Sequence, residues 1–245
     1  MKPIVLGLTG SIAMGKSTVG AMLENMSIPV HEADRCVHDL YHPDHPARRS
    51  IAAIFPIYGF PEIYEKKTGV IKRKALGDLV FARDDLRQAL EDVLHPLVQQ
   101  DQQEFISRHG RLGRRIVCLD VPLLFETGWQ EYVDYTLVVS APAAVQRQRV
   151  LERLGMSEEK LNAILMRQMP DLEKCNRADY VIHTGLGRAH TMKMLRNALL
   201  DIRRKSNLFS EESLCAESKM KENNGDEALM HSTGTGIVSL DAVDI

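Results

Sequence analysis

Hydrophobic residues alternate along the chain between short continuous runs and longer segments of helical spacing. The first run covers residues 4–8 (IVLGL), and apolar residues then recur at Val19, Met22, Leu23 and Met26. A short apolar run is typical of a buried strand, whereas recurrence every three or four residues is typical of a helix. The beginning of the chain is therefore predicted to form a strand, a loop and a helix.

Further apolar runs predict further strands near residues 28–31, 114–121, 135–141 and 178–185. Helical patterns separate these runs, and strands that alternate with helices form parallel sheets covered by helices on both faces. The sequence therefore predicts an α/β fold built on a five-stranded parallel sheet.

The long segment between the second and third predicted strands lacks a strand pattern. From Asp84 to Gly110 it begins with acidic residues and then carries leucine and valine at helical intervals, as an amphipathic helix does. We predict a helical insertion over about residues 60–110. Pro96 is predicted to kink or divide that helix, because proline lacks a backbone donor and clashes with the preceding turn.

A second helical segment extends over about residues 142–170. Gly155 interrupts its pattern, Ser157 has the side chain of an N-terminal cap, and Pro170 ends the second helix. The segment therefore predicts two helices. It is rich in arginine, which suits a lid that closes over a phosphorylated ligand.

Apolar spacing fades after Arg204, so we predict a domain over residues 1–205 and an acidic, disordered tail over residues 206–245. The tail carries eight acidic and two basic residues, whereas the first 205 residues carry 29 basic and 25 acidic ones. A mildly basic domain suits anionic ligands but falls short of a nucleic-acid interface. The oligomeric state and any partner of the tail do not follow from the sequence.

The chain lacks an apolar run of the ~20 residues that a membrane span needs, and its first strand pattern begins after three residues. We therefore expect neither membrane insertion nor a targeting segment. The expected location is the cytoplasm.

The four cysteines are far apart in the sequence, at Cys36, Cys118, Cys175 and Cys215. They are interpreted as reduced structural residues rather than as a disulfide or zinc framework.

The loop after the first predicted strand has the complete G-x-x-x-x-G-K-[ST] pattern of a phosphate-binding loop, from Gly10 to Ser17. Backbone N–H groups of such a loop point at phosphate oxygens, Lys16 reaches the terminal phosphates, and the Ser17 hydroxyl can ligate Mg²⁺. This predicts a P-loop NTPase fold that binds a nucleoside triphosphate. The predicted cradle consists of Gly10, Ser11, Ile12, Ala13, Met14, Gly15, Lys16, Ser17 and Thr18.

Among P-loop proteins, the chain is predicted to be a small kinase. It lacks the Asn-Lys-x-Asp motif with which GTPases recognise guanine, and it is short for a motor. A kinase needs a carboxylate near the acceptor hydroxyl and cations around the transferred phosphoryl group. Asp34, after the second predicted strand, is a candidate base, although a solvated or helix-capping role stays open. The lid arginines Arg147, Arg149 and Arg153 are the candidate cations, unless they form a solvated face.

Together these residues resemble the dephospho-CoA kinases, which use ATP to phosphorylate the ribose 3′-hydroxyl of dephospho-CoA and release coenzyme A and ADP. The resemblance extends from residue 3 to about residue 200. It rests on ordered motifs, namely GLTGSIAMGKST, VHEAD, GVIKRKALGDLVF, LHPLV, DVPLLFETG, VQRQRVLERLG, RQMPDLEK and ADYVIHTG.

The resemblance implies roles for individual residues. Asp34 is the expected general base, Lys16 and Ser17 hold the β- and γ-phosphates with Mg²⁺, and Arg149 stabilises the transferred phosphoryl group. Asp120 ends a predicted strand and could act on Mg²⁺ through water, while the alternative of a charged residue satisfied by loop amides stays open. The residues expected around the dephospho-CoA substrate are Glu32, Arg73, His95, Asp120, Leu123 and Glu126.

Three departures from the family pattern concern contacts rather than chemistry. Glu32 stands where aspartate is usual, AIFPIYGF replaces a glycine-containing turn, and His183–Thr184 stands where asparagine is common. Two other functions stay open, namely another P-loop kinase of small metabolites or nucleosides and a nucleotide-binding module without catalysis.

A cluster of histidines, comprising His31, His38, His42 and His45, is the other feature that suggests chemistry. Prolines interrupt any helix that would align the last three, and neither an acidic residue nor a cysteine lies at ligand spacing. We therefore interpret the cluster as part of a polar loop rather than a metal site.

Overall fold

The computed structural model describes residues 2–42, 44–57, 63 and 71–225 of the 245-residue chain. In these residues five parallel strands form one sheet. The strands are β1 (Ile4–Thr9), β2 (Val30–Glu32), β3 (Ile116–Asp120), β4 (Tyr135–Ser140) and β5 (Tyr180–His183). The helices are α1 (Lys16–Asn25), α2 (Ala33–Leu40), α3 (Arg48–Ile57), α4 (Arg73–Ala82), α5 (Asp84–Arg111), α6 (Ala143–Leu151), α7 (Glu158–Leu165), α8 (Asp171–Arg177) and α9 (Arg188–Gly225), with a 3₁₀ helix at Trp129–Tyr132.

The strand order is β2-β3-β1-β4-β5, so the strand that precedes the phosphate-binding loop lies at the centre of the sheet. Leu8 of β1 and Glu32 of β2 both pair in register with Asp120 of β3. Because all strands are parallel, their carboxyl ends lie along one edge, which is where ligands bind in open α/β sheets. The topology therefore brings the loop, Glu32 and Asp120 to the same edge.

The predicted parallel sheet is confirmed, and its last four strands are shorter than the predicted runs. The side chains of β3 are buried throughout, as expected for a strand covered on both faces. The second strand begins at Val30, two residues later than predicted. Pro29 explains the shift, because it has no N–H to donate and contributes only its carbonyl, which accepts from Cys118 N at 2.8 Å.

Helices α4 and α5 lie within the predicted insertion and α3 precedes it, while residues 58–62 and 64–70 lie outside the described residues. Pro96 does not divide α5, which continues from Asp84 to Arg111. The loss of its backbone hydrogen bond costs about 3 kcal/mol. Packing offsets this cost, because Leu86, Leu90 and Leu94 of the same helix are buried in the core.

The two helices predicted over about residues 142–170 are observed as α6 and α7, although α7 ends at Leu165 rather than at Pro170. Gly155 adopts φ +78° between them, a conformation that favours glycine. Ser157 caps α7, since its hydroxyl accepts a hydrogen bond from Lys160 N at 3.4 Å. The sequence thus specified both the break and the restart of the lid.

The chain divides into two compact units, Met1–Leu195 and Arg196–Ile245. The first contains the whole sheet. In the second, helix α9 continues to Gly225, so residues 206–225 are helical where disorder was predicted. That stretch contains four Glu, two Leu and two Lys, residues of high helix propensity that favour a helix there. Residues 226–245 lie outside the described part, and no described helix is long and apolar enough to cross a membrane.

Candidate active site

The loop between β1 and α1 has the backbone that its glycines predict. A Cβ atom on Gly10 would lie 2.6 Å from the carbonyl oxygen of Val139, so any larger residue would displace backbone. Gly15 has φ +97°, and its added Cβ would lie 3.1 Å from Thr184 Oγ1. Gly15 caps α1 without a side-chain hydrogen bond. The first N–H groups of α1 are thus uncapped by a side chain and suited to an anion.

A cavity of about 850 Å³ opens over this loop. It is lined by every residue of the predicted cradle except Met14, together with Glu32, Asp34, Asp120, Arg149, Arg153, Gln168 and Arg188. The Met14 side chain is instead buried beneath the loop, where its sulfur accepts from Ala141 N at 3.1 Å. The cavity therefore gathers basic and acidic groups around a loop built to bind phosphate.

Lys16 and Asp120 form an ion pair inside this cavity. Asp120 is buried, and burial raises its pKa above the ordinary value. The positive charge of Lys16 opposes that rise, while the nearby charges of Asp34 and Glu32 add to it. Lys16 is thus the cation that compensates a cluster of carboxylates at the strand ends.

The oxygen donors of the cavity fit Mg²⁺. The Ser17 hydroxyl and the Asp120 carboxylate both line it, next to the loop that is suited to phosphates. Mg²⁺ prefers such hard oxygen ligands and usually binds few protein groups together with phosphate and water. The donor set is therefore chemically appropriate for the ion.

A second cavity, of about 410 Å³, adjoins the first. Its walls are mostly apolar and come from α2, α5 and the segment after β3, with Ala33, Val37, Leu94, His95, Val98, Val121, Leu123, Thr127 and Trp129 among the lining residues. Asp34, Pro122 and Gln168 line both cavities. The predicted base therefore lies where a phosphate-binding cavity meets an apolar one.

Arg149 joins the lid to the loops on either side of it. Its guanidinium donates to Thr184 Oγ1 at 3.0 Å, to the Thr184 carbonyl at 2.9 Å and to the Ala13 carbonyl at 3.4 Å. The Thr184 hydroxyl also donates to the Met14 carbonyl at 2.5 Å. Arg149 thus lines the cavity while it fixes the loop at Thr184.

The other predicted lid arginines differ from each other. Arg153 lines the first cavity. Arg147 is not among the residues that line it and pairs with Glu158 at 2.6 Å on the exposed surface of the lid. Arg147 therefore belongs to a solvated face, whereas Arg153 remains a candidate phosphate contact.

Two glutamines that the sequence did not single out attach the lid to the phosphate-binding loop. Gln146 Nε2 donates to the Ile12 carbonyl at 2.9 Å, and Ile12 N donates to Gln168 Oε1 at 3.1 Å. Both contacts join residues more than 130 positions apart. The sequence shows a glutamine at position 146, but only the folded chain shows that it is buried.

Glu126 lines neither of these cavities and instead contacts neighbouring protein groups. Its Oε1 atom lies 2.8 Å from the Nζ of Lys174 and accepts from Met169 N at 2.8 Å. Lys174 is fully buried, and its Nζ also donates to the Pro122 carbonyl at 3.4 Å. The predicted substrate residue therefore fixes the segment that follows the lid.

Arg73, another predicted substrate residue, begins α4, and its side chain lies outside the described residues.

A central strand, a phosphate-binding loop, strand-end carboxylates and an arginine-bearing lid define a P-loop kinase. A family model described as dephospho-CoA kinase matches residues 4–187. The chain belongs to the dephospho-CoA kinase family.

Curated relatives show the same similarity along most of the chain. A dephospho-CoA kinase of Novosphingobium aromaticivorans is 46% identical over 205 residues, which cover 84% of this chain and 98% of the relative. A dephospho-CoA kinase of Mesorhizobium japonicum is 48% identical over 184 residues, which cover 75% of this chain and 89% of the relative.

Solved structures agree on the fold. The crystal structure of TT1252 from Thermus thermophilus superposes with a TM-score of 0.71 at 34% identity, covering 82% of this chain and 98% of that one. Dephospho-CoA kinase from Campylobacter jejuni gives a TM-score of 0.61 at 24% identity with the same coverage. At that identity the second similarity concerns the fold alone.

Proposed function

We propose that this chain transfers the γ-phosphoryl group of ATP to the ribose 3′-hydroxyl of dephospho-CoA, forming coenzyme A and ADP. The observation that carries this proposal is the position of Asp34, which lines both the phosphate-binding cavity and the adjoining apolar cavity. A base at that junction can reach an acceptor hydroxyl on one side while the γ-phosphate lies on the other.

In the proposed step the 3′-oxygen forms a bond to the γ-phosphorus as the bond from that phosphorus to the β–γ bridging oxygen breaks. The hydroxyl proton passes to an Asp34 oxygen, and ADP leaves with the electron pair of the broken bond. The loop amides and Lys16 hold the phosphates in place, and Arg153 faces the same cavity. Fixed cations and N–H groups lower the barrier because charge moves onto the bridging oxygen during transfer.

Ser17, with Asp120 acting through water, would hold Mg²⁺ in this site. When bound, that ion neutralises phosphate charge and favours in-line geometry. Lys16 would then exchange its contact with Asp120 for the phosphate oxygens. The buried Asp120 carboxylate needs a positive partner in either arrangement.

The acceptor is proposed to occupy the second cavity. Its walls come largely from α2 and α5, and α5 belongs to the helical insertion that the resemblance assigns to the acceptor. Leu123 and His95 line this cavity, so they are its candidate contacts, whereas Glu32 lines the first cavity only. The proposal includes a cytoplasmic site of action and small-molecule partners, without a nucleic acid or a membrane.

A coupled ADP-release assay tests this function directly. The full chain is incubated with ATP, Mg²⁺ and dephospho-CoA, in parallel with adenosine, another nucleoside and a sugar acid. We expect turnover with dephospho-CoA alone, and coenzyme A as the product by mass spectrometry. Turnover confined to another acceptor would overturn the substrate assignment. ATP binding without turnover on any acceptor would instead support the nucleotide-binding module.

A further inference from the structure

Three side chains outside the proposed catalytic groups bring ligand atoms of different chemistry together. A ring nitrogen of His31 in β2, the sulfur of Cys36 in α2 and a carboxylate oxygen of Asp101 in α5 all lie within 4.8 Å of one another. We propose that His31, Cys36 and Asp101 form a binding site for one Zn²⁺-type divalent ion, separate from the site of Mg²⁺. This inference does not depend on the proposed kinase activity.

The donor set is one that zinc selects. Imidazole nitrogen, thiolate sulfur and carboxylate oxygen are its usual ligands, whereas Mg²⁺ prefers oxygen alone. Zinc bonds of about 2.0–2.3 Å in a tetrahedron place ligand atoms roughly 3.3–3.7 Å apart. In the cluster His31 Nε2 and Asp101 Oδ2 lie 2.6 Å apart, and all three ligand atoms lie within 4.8 Å of one another, so small side-chain movements would bring them to that spacing. Water can supply the fourth ligand.

The nitrogen that faces the cluster is defined by the packing of His31. The ring is buried and packs edge-on against Phe105, with centroids 5.3 Å apart. Its Nε2 atom lies 2.6 Å from Asp101 Oδ2, and its Nδ1 atom is buried without a partner among the described residues. A fixed imidazole loses little entropy when a metal ion replaces the proton between Nε2 and the carboxylate.

Asp101 can adjust to an ion, because its side chain is 53% exposed and sits on the outer part of α5. The small opening that the metal needs between His31 and Asp101 therefore requires only rotation of an exposed carboxylate. Both Nε2 and Oδ2 are held by one hydrogen bond to each other, and an ion between them would keep both atoms paired.

The cluster has a different composition from the histidine group noted in the sequence. The exposed His38 and His42 lie close to carboxylates of their own neighbours, Asp39 and Asp44. Of that group His31 alone belongs to this cluster among the described residues. Folding provides the acidic and thiol partners that sequence spacing did not, because Asp101 is 70 residues from His31.

A reactive nucleophilic thiol is a poorer explanation of Cys36. Burial and the neighbouring Asp101 carboxylate raise its pKa to about 12, so the thiol is protonated and unreactive at neutral pH. A divalent ion reverses that balance by supplying the positive charge that a thiolate needs.

The site would connect the β2–α2 junction with α5. Cys36 lies two residues after Asp34 on α2, and α2 and α5 both line the apolar cavity. An ion bound there would join the helix that carries the proposed base to the helix that lines the acceptor cavity. Because an ion that binds only the folded chain stabilises it, zinc should also raise the melting temperature.

Cobalt titration of the full chain tests the proposal. Co²⁺ replaces Zn²⁺ in such sites and gives near-ultraviolet absorption when a thiolate binds it. The protein is held reduced by a non-thiol reductant, in excess Mg²⁺ so that hard oxygen sites are occupied. We expect saturation at about one Co²⁺ per chain, displacement by Zn²⁺, and a rise in melting temperature of at least about 2 °C with saturating Zn²⁺.

Variants assign the signal to the cluster. We expect Cys36→Ser to abolish the thiolate absorption and Asp101→Asn to weaken cobalt binding at least tenfold, about the cost of losing even an indirect metal contact. Cys175→Ser is the matched control, because Cys175 also lies beside a carboxylate, with its Sγ 3.9 Å from Asp171 Oδ2. It and Cys215→Ser should leave the titration unchanged.

Other results would overturn the proposal. Absorption that survives Cys36→Ser, or that disappears in Cys175→Ser or Cys215→Ser, would place the cobalt elsewhere. Absence of the thiolate band in the folded wild-type chain would leave the three residues as a hydrogen-bonded tether between β2, α2 and α5. The test needs no substitution of the buried His31, which could prevent folding. Asp101→Asn instead changes a ligand whose side chain is exposed.

Discussion

Lys16, the first residue of α1, forms an ion pair with Asp120, the last residue of β3. The two side chains meet inside the cavity over the phosphate-binding loop. Lys16 is therefore both the counter-ion of a buried carboxylate and the proposed contact of the ATP phosphates. In the proposed mechanism Lys16 would exchange the Asp120 carboxylate for phosphate oxygens when the nucleotide binds, and substitution of Lys16 tests that exchange.

We expect Lys16→Met to reduce kcat at least ~100-fold, because a fixed charge directed at the transferred group contributes about that much. ADP release measures turnover, and equilibrium binding of ATP measures the loss of ground-state affinity. Lys193→Met is the control, since Lys193 is an exposed residue near the beginning of α9. Turnover of the Lys16 variant within twofold of wild type would contradict its proposed role.

Asp34→Asn tests the base at the junction of the two cavities. Asparagine retains the shape but cannot accept the hydroxyl proton, so we expect kcat to fall at least ~100-fold with ATP affinity nearly intact. Asp39→Asn is the matched control, because Asp39 is an exposed carboxylate on the same helix. Equal losses in both variants would point to a general effect on α2 and refute the assignment of Asp34.

The parts of the site that could be predicted are those encoded locally. Gly10, Lys16 and Ser17 form one contiguous motif, and Asp34 follows a short apolar run, so strand order alone brings them to the same edge. The sheet was predictable for the same reason, because each strand is a separate run of buried residues.

The parts that could not be predicted depend on contacts between distant segments. From the sequence Lys174 would be expected on the surface, yet it is fully buried beside Glu126. Gln168 meets Ile12 across 156 residues. Pro96 was a reason to divide α5, but the buried face of that helix outweighs the lost hydrogen bond.

Gly10 and Gly20 give opposite expectations for the same substitution. A Cβ on Gly10 would lie 2.6 Å from a backbone oxygen, so Gly10→Ala should displace the loop, weaken ATP binding and lower the melting temperature. A Cβ on Gly20 meets its nearest neighbour, Leu8 Cδ2, at 4.0 Å inside α1. Gly20→Ala should therefore stabilise the fold by about 0.5–1 kcal/mol. Chemical denaturation measures both changes, and a stabilised Gly10→Ala variant would contradict this account of the loop.

Substitutions of the buried pair Lys174 and Glu126 are expected to have strongly non-additive effects on the free energy of unfolding. Lys174→Met should cost about 3–5 kcal/mol of unfolding free energy, because it leaves the Glu126 carboxylate without its cation. Lys174→Met combined with Glu126→Leu removes both charges and should recover part of that loss, although Met169 N then loses its acceptor. Urea unfolding of the two single variants and the double variant gives the coupling. A double variant no more stable than Lys174→Met would mean that the ion pair contributes little.

Asp85 at the start of α5 predicts a specific dependence of stability on pH. The bidentate hydrogen bond from Arg83 lowers the pKa of Asp85 from 3.8 to about 2, with help from the backbone N–H of Leu86. The folded chain therefore binds this proton more weakly than the unfolded chain does. The ionised carboxylate contributes its stability above a pH of about 4, and that contribution disappears as the pH falls towards about 2.

We accordingly expect Asp85→Asn to lower the melting temperature slightly at about pH 7 and to match the wild type near pH 2. The effect is small because both side chains are exposed, and it shrinks in high salt. Arg83→Gln serves as the matched variant, since removing the cation should abolish most of the same pH dependence. Thermal unfolding of the three chains over this pH range measures the differences. A gap between Asp85→Asn and wild type that widens on acidification would have the wrong sign for a carboxylate with a lowered pKa, and would remove the Arg83–Asp85 pair as its cause.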